Sequence, residues 1–387
     1  TRDGTTIITS SYDLQISSFV IPTDLLEPRD EPLVLRPHKT LRLAEPTNVV
    51  SPAPYYDIRF PNTDQLLVAC RDHPLQLYQA LSPGDNDDNN DAPQSRTGTG
   101  CDAPFGSYRL MSPTTEAYLP IHSLSWPHPG THFYVGTRDL LAEFDITRSG
   151  EGPTVRLPTI PSRRHIRKGN GVGMRGTTSA LAAQTTSDGA PTGLLAAGTW
   201  TRWLGLYDMH RGRECTATWS IKEAATTGAI GGAGILQTAW SPCGRYLLAC
   251  ERQSTGVLVY DVRITGKLLG VLAGRDACTH QRLSCDVFPG LDNVGGFEVW
   301  AGTRDGAVKV WEGVGNTESC QWPSWDFSTA DGRPVPQEGP GSGPMAPAVG
   351  SVGLHHSGSV VATASGCWNM PGEEGDSSPP GASLGGS

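Results

Sequence analysis

An all-β propeller of seven blades is predicted by three observations: a turn-rich composition, a strand unit that recurs along the chain, and few apolar stretches of helix length. The 387 residues include 47 Gly and 31 Pro, with 37% apolar and 18% charged side chains. That is the makeup of a folded globular protein built from many short strands and tight turns.

The recurring unit is recognised by a short run of β-formers ending in small residues. It appears as Ile7-Ile8-Thr9-Ser10, Val68-Ala69-Cys70, Tyr134-Val135-Gly136-Thr137, Ala196-Ala197-Gly198-Thr199, Leu248-Ala249-Cys250, Trp300-Ala301-Gly302-Thr303 and Ala362-Thr363-Ala364-Ser365. Each run is read as the inner strand of one blade. A tight turn and an alternating strand follow, closing on an aromatic and an acid in Phe144-Asp145, Tyr207-Asp208, Tyr260-Asp261 and Trp311-Glu312. Phe19 and Tyr78 hold the same place without the acid. Alternation in Ala307-Val308-Lys309-Val310-Trp311 places successive side chains on opposite faces, as a half-buried strand requires. Trp311-Glu312 approximates the Trp-Asp dipeptide of WD40 repeats, so the propeller is of the WD40 type with degenerate repeats.

A further strand precedes each run and ends in a turn, as in Thr238-Ala239-Trp240-Ser241-Pro242-Cys243-Gly244, where Pro fixes φ and Gly permits the corner. Thr1-Arg2-Asp3-Gly4 reads as the same turn, so the expectation is a fragment with incomplete terminal blades. The expected domain is a single propeller over residues 1–370, with blades near 1–50, 51–112, 118–161, 175–222, 233–273, 280–328 and 348–370. Residues 81–104 are expected to form a disordered insertion and 371–387 a disordered tail.

The net charge of −9 is unevenly spread. Asp85, Asp87, Asp88 and Asp91 fall in the insertion and Glu373, Glu374 and Asp376 in the tail, which leaves the folded body close to neutral. Nine Cys without a C-x-x-C pair suggest a reducing, intracellular compartment, and no apolar run of eighteen residues points to a membrane. No signal-peptide pattern is present; the chain starts at Thr1, so a targeting segment lies outside this reading.

Signatures of catalysis are wanting. Gly171-Val172-Gly173-Met174-Arg175-Gly176 fits G-x-G-x-x-G, but no strand precedes it and no helix follows, so it reads as a loop rather than a dinucleotide site. No G-x-S-x-G, H-E-x-x-H or Walker sequence occurs, and no His or Cys spacing suggests a metal. The expectation is a protein that is not an enzyme and has neither cofactor nor metal.

Arginine recurs in the turn after the repeated run: Arg71, Arg138, Arg202, Arg252 and Arg304 fall in five blades, accompanied by Trp200 and Trp203. Equivalent positions of a propeller share one rim. Guanidinium groups pair with phosphates and aromatics stack on unpaired bases, so this rim outlines an RNA-binding surface. Turn chemistry offers a second reading, since Asp139, Asp305 and Gly306 are turn formers and Arg can simply be solvated. The basic run Arg163, Arg164, Arg167 and Lys168 fits either phosphate contact or a nuclear-localisation patch.

Several segments resemble the telomerase Cajal body protein family of WD-repeat proteins, whose fungal relatives include splicing-associated proteins. They are Leu195-Ala196-Ala197-Gly198-Thr199-Trp200 with Leu204-Gly205-Leu206-Tyr207, and Thr279-His280-Gln281-Arg282-Leu283 leading to Asp286. Gly306 to Trp311, Val352-Gly353-Leu354-His355-His356 with Ala362 to Gly366, and Thr115-Glu116-Ala117-Tyr118 before His122-Ser123-Leu124 extend the likeness. The resemblance implies a nuclear scaffold, with no homo-oligomer expected, that binds small nuclear RNA or its ribonucleoprotein and assists telomerase RNP assembly or localisation, or pre-mRNA splicing. The alternative is a protein-only adaptor that captures peptides on the propeller rim.

Overall fold

The protein is described from a computed structural model covering all residues except 2, 61, 82–102, 161–173, 187–188, 291–294, 330–346 and 367–387. The expected insertion (save 81, 103 and 104), the tail from 371, and Arg163, Arg164, Arg167 and Lys168 therefore lie outside the described residues.

Antiparallel sheets follow one another along the chain. The first holds β1 (Thr6–Ser11), β2 (Gln15–Val20) and β3 (Lys39–Arg42). The second holds β4 (Thr47–Pro52), β5 (Gln65–Cys70), β6 (Leu75–Gln79) and β7 (Gly106–Tyr108). The third holds β8 (Ser123–Ser125), β9 (His132–Thr137), β10 (Leu140–Asp145) and β11 (Val155–Pro158). The fourth holds β12 (Thr178–Thr185), β13 (Pro191–Thr199), β14 (Trp203–Asp208) and β15 (Glu214–Ser220), and a short helix α1 (Lys222–Thr227) leads onward.

The fifth sheet comprises β16 (Ile235–Trp240), β17 (Tyr246–Glu251), β18 (Ser254–Asp261) and β19 (Lys267–Ala277). The sixth comprises β20 (Cys285–Pro289), β21 (Phe297–Gly302), β22 (Ala307–Val314) and, after a two-residue strand β23 (Cys320–Gln321), β24 (Trp325–Ser328). β23 leaves its own sheet to pair in parallel with β19, Val271 opposite Cys320. The chain then forms the hairpin of β25 (Ala348–Leu354) and β26 (Val361–Gly366).

This is an all-β propeller, with two corrections to the expected layout. Six sheets carry three or more strands where seven blades were expected; the seventh unit is only the β25–β26 pair, because no third strand joins β26 among the described residues. The repeated runs are not innermost. From the second sheet onward they form the second strand, and the strands before them, β4, β8, β12, β16, β20 and β25, lie beside one another around the axis, whereas Ile7 to Ser10 lie in β1, the edge strand of the first sheet. β4 begins at Thr47, which moves the first boundary back from residue 50. The ring meets itself where Gly4 abuts the His355 ring in the β25–β26 turn.

The closing aromatics explain why the third strand of each blade ends as it does. Phe144, Tyr207, Tyr260 and Trp311 are all 1% exposed or less, and each fills the layer between neighbouring sheets. Phe133 and Phe144 stack with ring centroids 5.1 Å apart, with Tyr108 edge-on at 5.0 Å from Phe133. The acids that follow build the next turn: Asp145 accepts from the Thr147 amide, Asp208 from the His210 and Arg211 amides, and Asp261 from the Arg263 amide. Glu312, by contrast, accepts from Trp325 Nε1 across its own sheet.

Glycine at the end of the second strand sets how closely two blades approach. A Cβ on Gly136 would lie 2.8 Å from Thr178 Cγ2, one on Gly198 2.5 Å from Ile235 Cγ2, and one on Gly302 2.2 Å from the Val349 carbonyl oxygen. Thr178, Ile235 and Val349 all belong to the first strand of the following sheet. Gly302→Ala is therefore expected to destabilise the protein by about 1–3 kcal/mol through overpacking. Gly353→Ala, where a Cβ meets nothing within 4 Å, is expected to be near neutral. Urea unfolding midpoints with unchanged m-values check both.

Candidate functional site

The turns joining second to third strands lie on one face, together with the segments that lead into the next sheet. Each has a left-handed residue: Asp72 (φ 57°), Asp139 (φ 55°), Arg202 (φ 68°), Gln253 (φ 49°) and Gly306 (φ 84°). The five expected arginines are all in these turns but not in one register. Arg202 itself takes the left-handed position, whereas Arg71, Arg138 and Arg252 stand one residue before it and Arg304 two before it.

That offset decides their chemistry. Arg202 turns inward, its Nε donating to Glu251 Oε1 at 2.6 Å and its Nη2 to Glu251 Oε2 at 2.8 Å and to the Gly231 carbonyl at 2.9 Å. The Glu251 side chain is 1% exposed and that of Arg202 17%, so this is a structural pair, closed by the Gly234 amide on Glu251 Oε1. Burial raises the Glu251 carboxyl above its ordinary value, and the Arg202 contacts only partly offset this. Arg304 bridges outward to Asp276 Oδ2 at 2.9 Å. Arg138 has an exposed side chain 3.9 Å from Asp139 Oδ2, and Arg71 is exposed.

Arg252 is different. Its guanidinium lies 5.3 Å from the centroid of the Trp200 ring, and its Nε is buried with no hydrogen-bond partner among the described residues. Trp200 is 43% exposed and its ring lies 5.4 Å from that of His122, whose pKa burial lowers. Trp203 does not join this group. It packs inside, against the cluster of Tyr134, Leu141, Met174 and Tyr207 between the third and fourth sheets.

A residue absent from the expected site completes the group. Arg282 precedes β20 and its Nη2 donates to the Leu236 carbonyl of β16 at 3.2 Å, so it bridges two innermost strands at the end of the axis. It is open to solvent on one side, yet crowding by protein, and then the charge of Arg252, lower its pKa. Two guanidinium groups thus sit near one another, and no carboxylate is within salt-bridge distance of either among the described residues. Such a pair, beside an exposed indole, suits an anion carrying a planar group. Its sequence signal was the Gln281-Arg282 step within the segment that resembles the telomerase Cajal body proteins. No group of three or more His, Cys, Asp or Glu among the described residues could hold a metal ion.

No family model matches the chain. Telomerase Cajal body protein 1 of Bos taurus is 26% identical over 382 residues, which span 97% of this chain and 58% of that protein. Guanine nucleotide-binding protein negative regulator 1 of Schizosaccharomyces pombe is 23% identical over 312 residues, or 80% of this chain and 68% of the relative. The solved structure of Chaetomium thermophilum Sqt1 bound to the N-terminus of ribosomal protein L10 superposes with a TM-score of 0.56 at 14% identity, covering 93% of this chain and 78% of Sqt1. The chain resembles proteins of the WD-repeat kind. Its expected resemblance to the telomerase Cajal body proteins holds along nearly the whole length, whereas the Sqt1 likeness concerns the fold alone. Among the described residues, no helix is long and apolar enough to cross a membrane.

Arg202 and Arg304, each bound to a carboxylate on another strand, are expected to differ in kind. Glu251→Ala strands Arg202 in a buried site and is expected to cost about 3–5 kcal/mol. Arg304→Ala removes a half-exposed pair and is expected to cost below about 1 kcal/mol. Chemical denaturation of both variants checks this ordering.

Proposed function

We propose that this WD-repeat protein is a non-enzymatic nuclear scaffold that holds a small nuclear RNA, or the ribonucleoprotein around it, and assists telomerase RNP assembly or splicing. The observation that carries the reading is the Trp200–Arg252 stack with Arg282 beside it. An unpaired base stacks on the indole, and the two uncompensated guanidinium groups take the flanking phosphates. Arg71 and Arg138, exposed on the same face, extend the path of the backbone, while Arg202, Arg304 and Trp203 serve the fold. The similarity to a telomerase Cajal body protein supports an RNA-containing particle as the partner.

A second reading, the protein-only adaptor, is favoured by the solved Sqt1 complex, where a propeller of similar fold holds a protein N-terminus. Salt dependence separates the two, because phosphate contacts release counterions.

The test is binding of a panel of structured small nuclear RNAs at two salt concentrations. Replacing Arg252 and Arg282 together with Ala is expected to lower affinity at least about tenfold and to reduce the log–log salt slope by about 1.4. Trp200→Ala is expected to cost about 1–3 kcal/mol with little change in slope. Binding that is absent, or alike in wild type and variants, refutes the RNA reading and leaves the adaptor.

A further inference from the structure

At the end of the second strand, where three blades use glycine, the fifth sheet has Cys250. The glycines face Thr178, Ile235 and Val349 of the next sheet; Cys250 faces Cys285, the first residue of β20. Their Sγ atoms lie 3.1 Å apart. Both residues are buried, at 0% and 4% exposure, and the close approach of the blades holds them in register.

A third group closes the cluster. Arg275, near the end of β19, is 0% exposed and wedged between the fifth and sixth sheets. Its Nε donates to the Gly302 carbonyl at 3.1 Å and its Nη2 to the Leu283 carbonyl at 2.8 Å, while Nη1 has no hydrogen-bond partner among the described residues. A guanidinium stays charged, and burying one without a counter-ion is costly. No carboxylate lies within salt-bridge distance of Arg275 among the described residues; the acids nearby are held by other arginines, Glu251 by Arg202 and Asp276 by Arg304. What remains to balance the charge is a thiol able to lose its proton.

We propose that Cys250 and Cys285 form a thiol pair, with Arg275 as counter-ion, that a small peroxide converts to a disulfide joining the fifth and sixth blades. The two thiols share one hydrogen bond. This hydrogen bond, and then the Arg275 charge, hold the Cys250 thiol below its ordinary value against the effect of burial, while Cys285 is pushed up. Cys250 is thereby the nucleophile and Cys285 the resolving thiol.

The reaction balances with hydrogen peroxide as the oxidant. The Cys250 thiolate attacks one peroxide oxygen, the O–O bond breaks, hydroxide leaves, and a sulfenic acid forms on Cys250. Cys285 sulfur then displaces the hydroxyl from Cys250, forming the S–S bond and releasing water after its proton is transferred. Two electrons pass from the sulfurs to the peroxide. The sulfurs need to close by about 1 Å, well within side-chain rotation.

The experiment treats the folded, full chain with hydrogen peroxide, blocks free thiols in denaturant, and maps tryptic peptides without reduction. The peptides 246–252 and 283–304 each contain one cysteine. The expected result is their cross-linked product, lighter than the two free peptides by two hydrogen atoms and lost on reduction. Oxidation in denaturant is expected to scatter the pairings among the nine cysteines. In Cys285→Ser the Cys250 sulfenic acid has no resolving thiol and is expected to be trapped by dimedone. Recovery of both peptides as blocked free thiols while the exposed Cys215 and Cys278 are oxidised would overturn the proposal. So would a linked product that forms only after unfolding.

Discussion

Neighbouring blades in this protein are held at a distance fixed by what stands at the end of each second strand. Where Gly136, Gly198 and Gly302 stand, no room remains for a methyl group, and the first strand of the next sheet rests almost on bare backbone. That contact positions the innermost strands, which in turn place the arginine-bearing turns and the aromatic layer of Phe144, Tyr207, Tyr260 and Trp311. Apolar burial supplies most of the stabilisation, but it is this spacing that lets the rings fill the layer without voids. The fifth sheet departs from the glycine rule, and the thiol pair occupies the same inter-blade position.

Charge is handled in two ways on neighbouring elements. Arg202 and Glu251 neutralise one another inside, so their desolvation is matched by three direct hydrogen bonds from the guanidinium. Arg252 and Arg282 have no carboxylate partner among the described residues and lie at the surface by Trp200. Arg202 therefore belongs to the fold while Arg252 stays at the surface, although both arise from the same turn of the repeat. A difference of one residue in register separates the two uses.

Much of the fold was legible in the sequence. The repeated runs ending in Ala-Gly-Thr, the closing aromatic and the following acid marked strands and turns, because each has a local physical reason. Blade number was less legible, since the run Ala362 to Ser365 looks like the others yet ends in a two-stranded pair. Strand rank was misread as well: the runs are apolar on both faces because neighbouring blades cover both, and burial of that kind does not distinguish second from innermost. At the candidate site, the turn arginines were visible, but spacing carries no information on which guanidinium turns inward. Trp203 looked like a partner of Trp200 and instead packs, half-buried, against the core, because the strand begins between them. Arg282 was hidden in a blade-leading segment whose position over the axis only the tertiary structure provides.

The short parallel strand β23 has a mechanical meaning. By leaving the sixth sheet to pair with β19 of the fifth, with Lys267 bridging Glu318 at 2.6 Å, it straps two blades together at their outer margin. A propeller is otherwise a row of sheets that can peel apart one at a time. Here the fifth and sixth must loosen jointly, so amide protons on β19 and β22 report one shared opening event rather than two. The strap makes that sector a single cooperative block within a ring whose closing hairpin is its thinnest part.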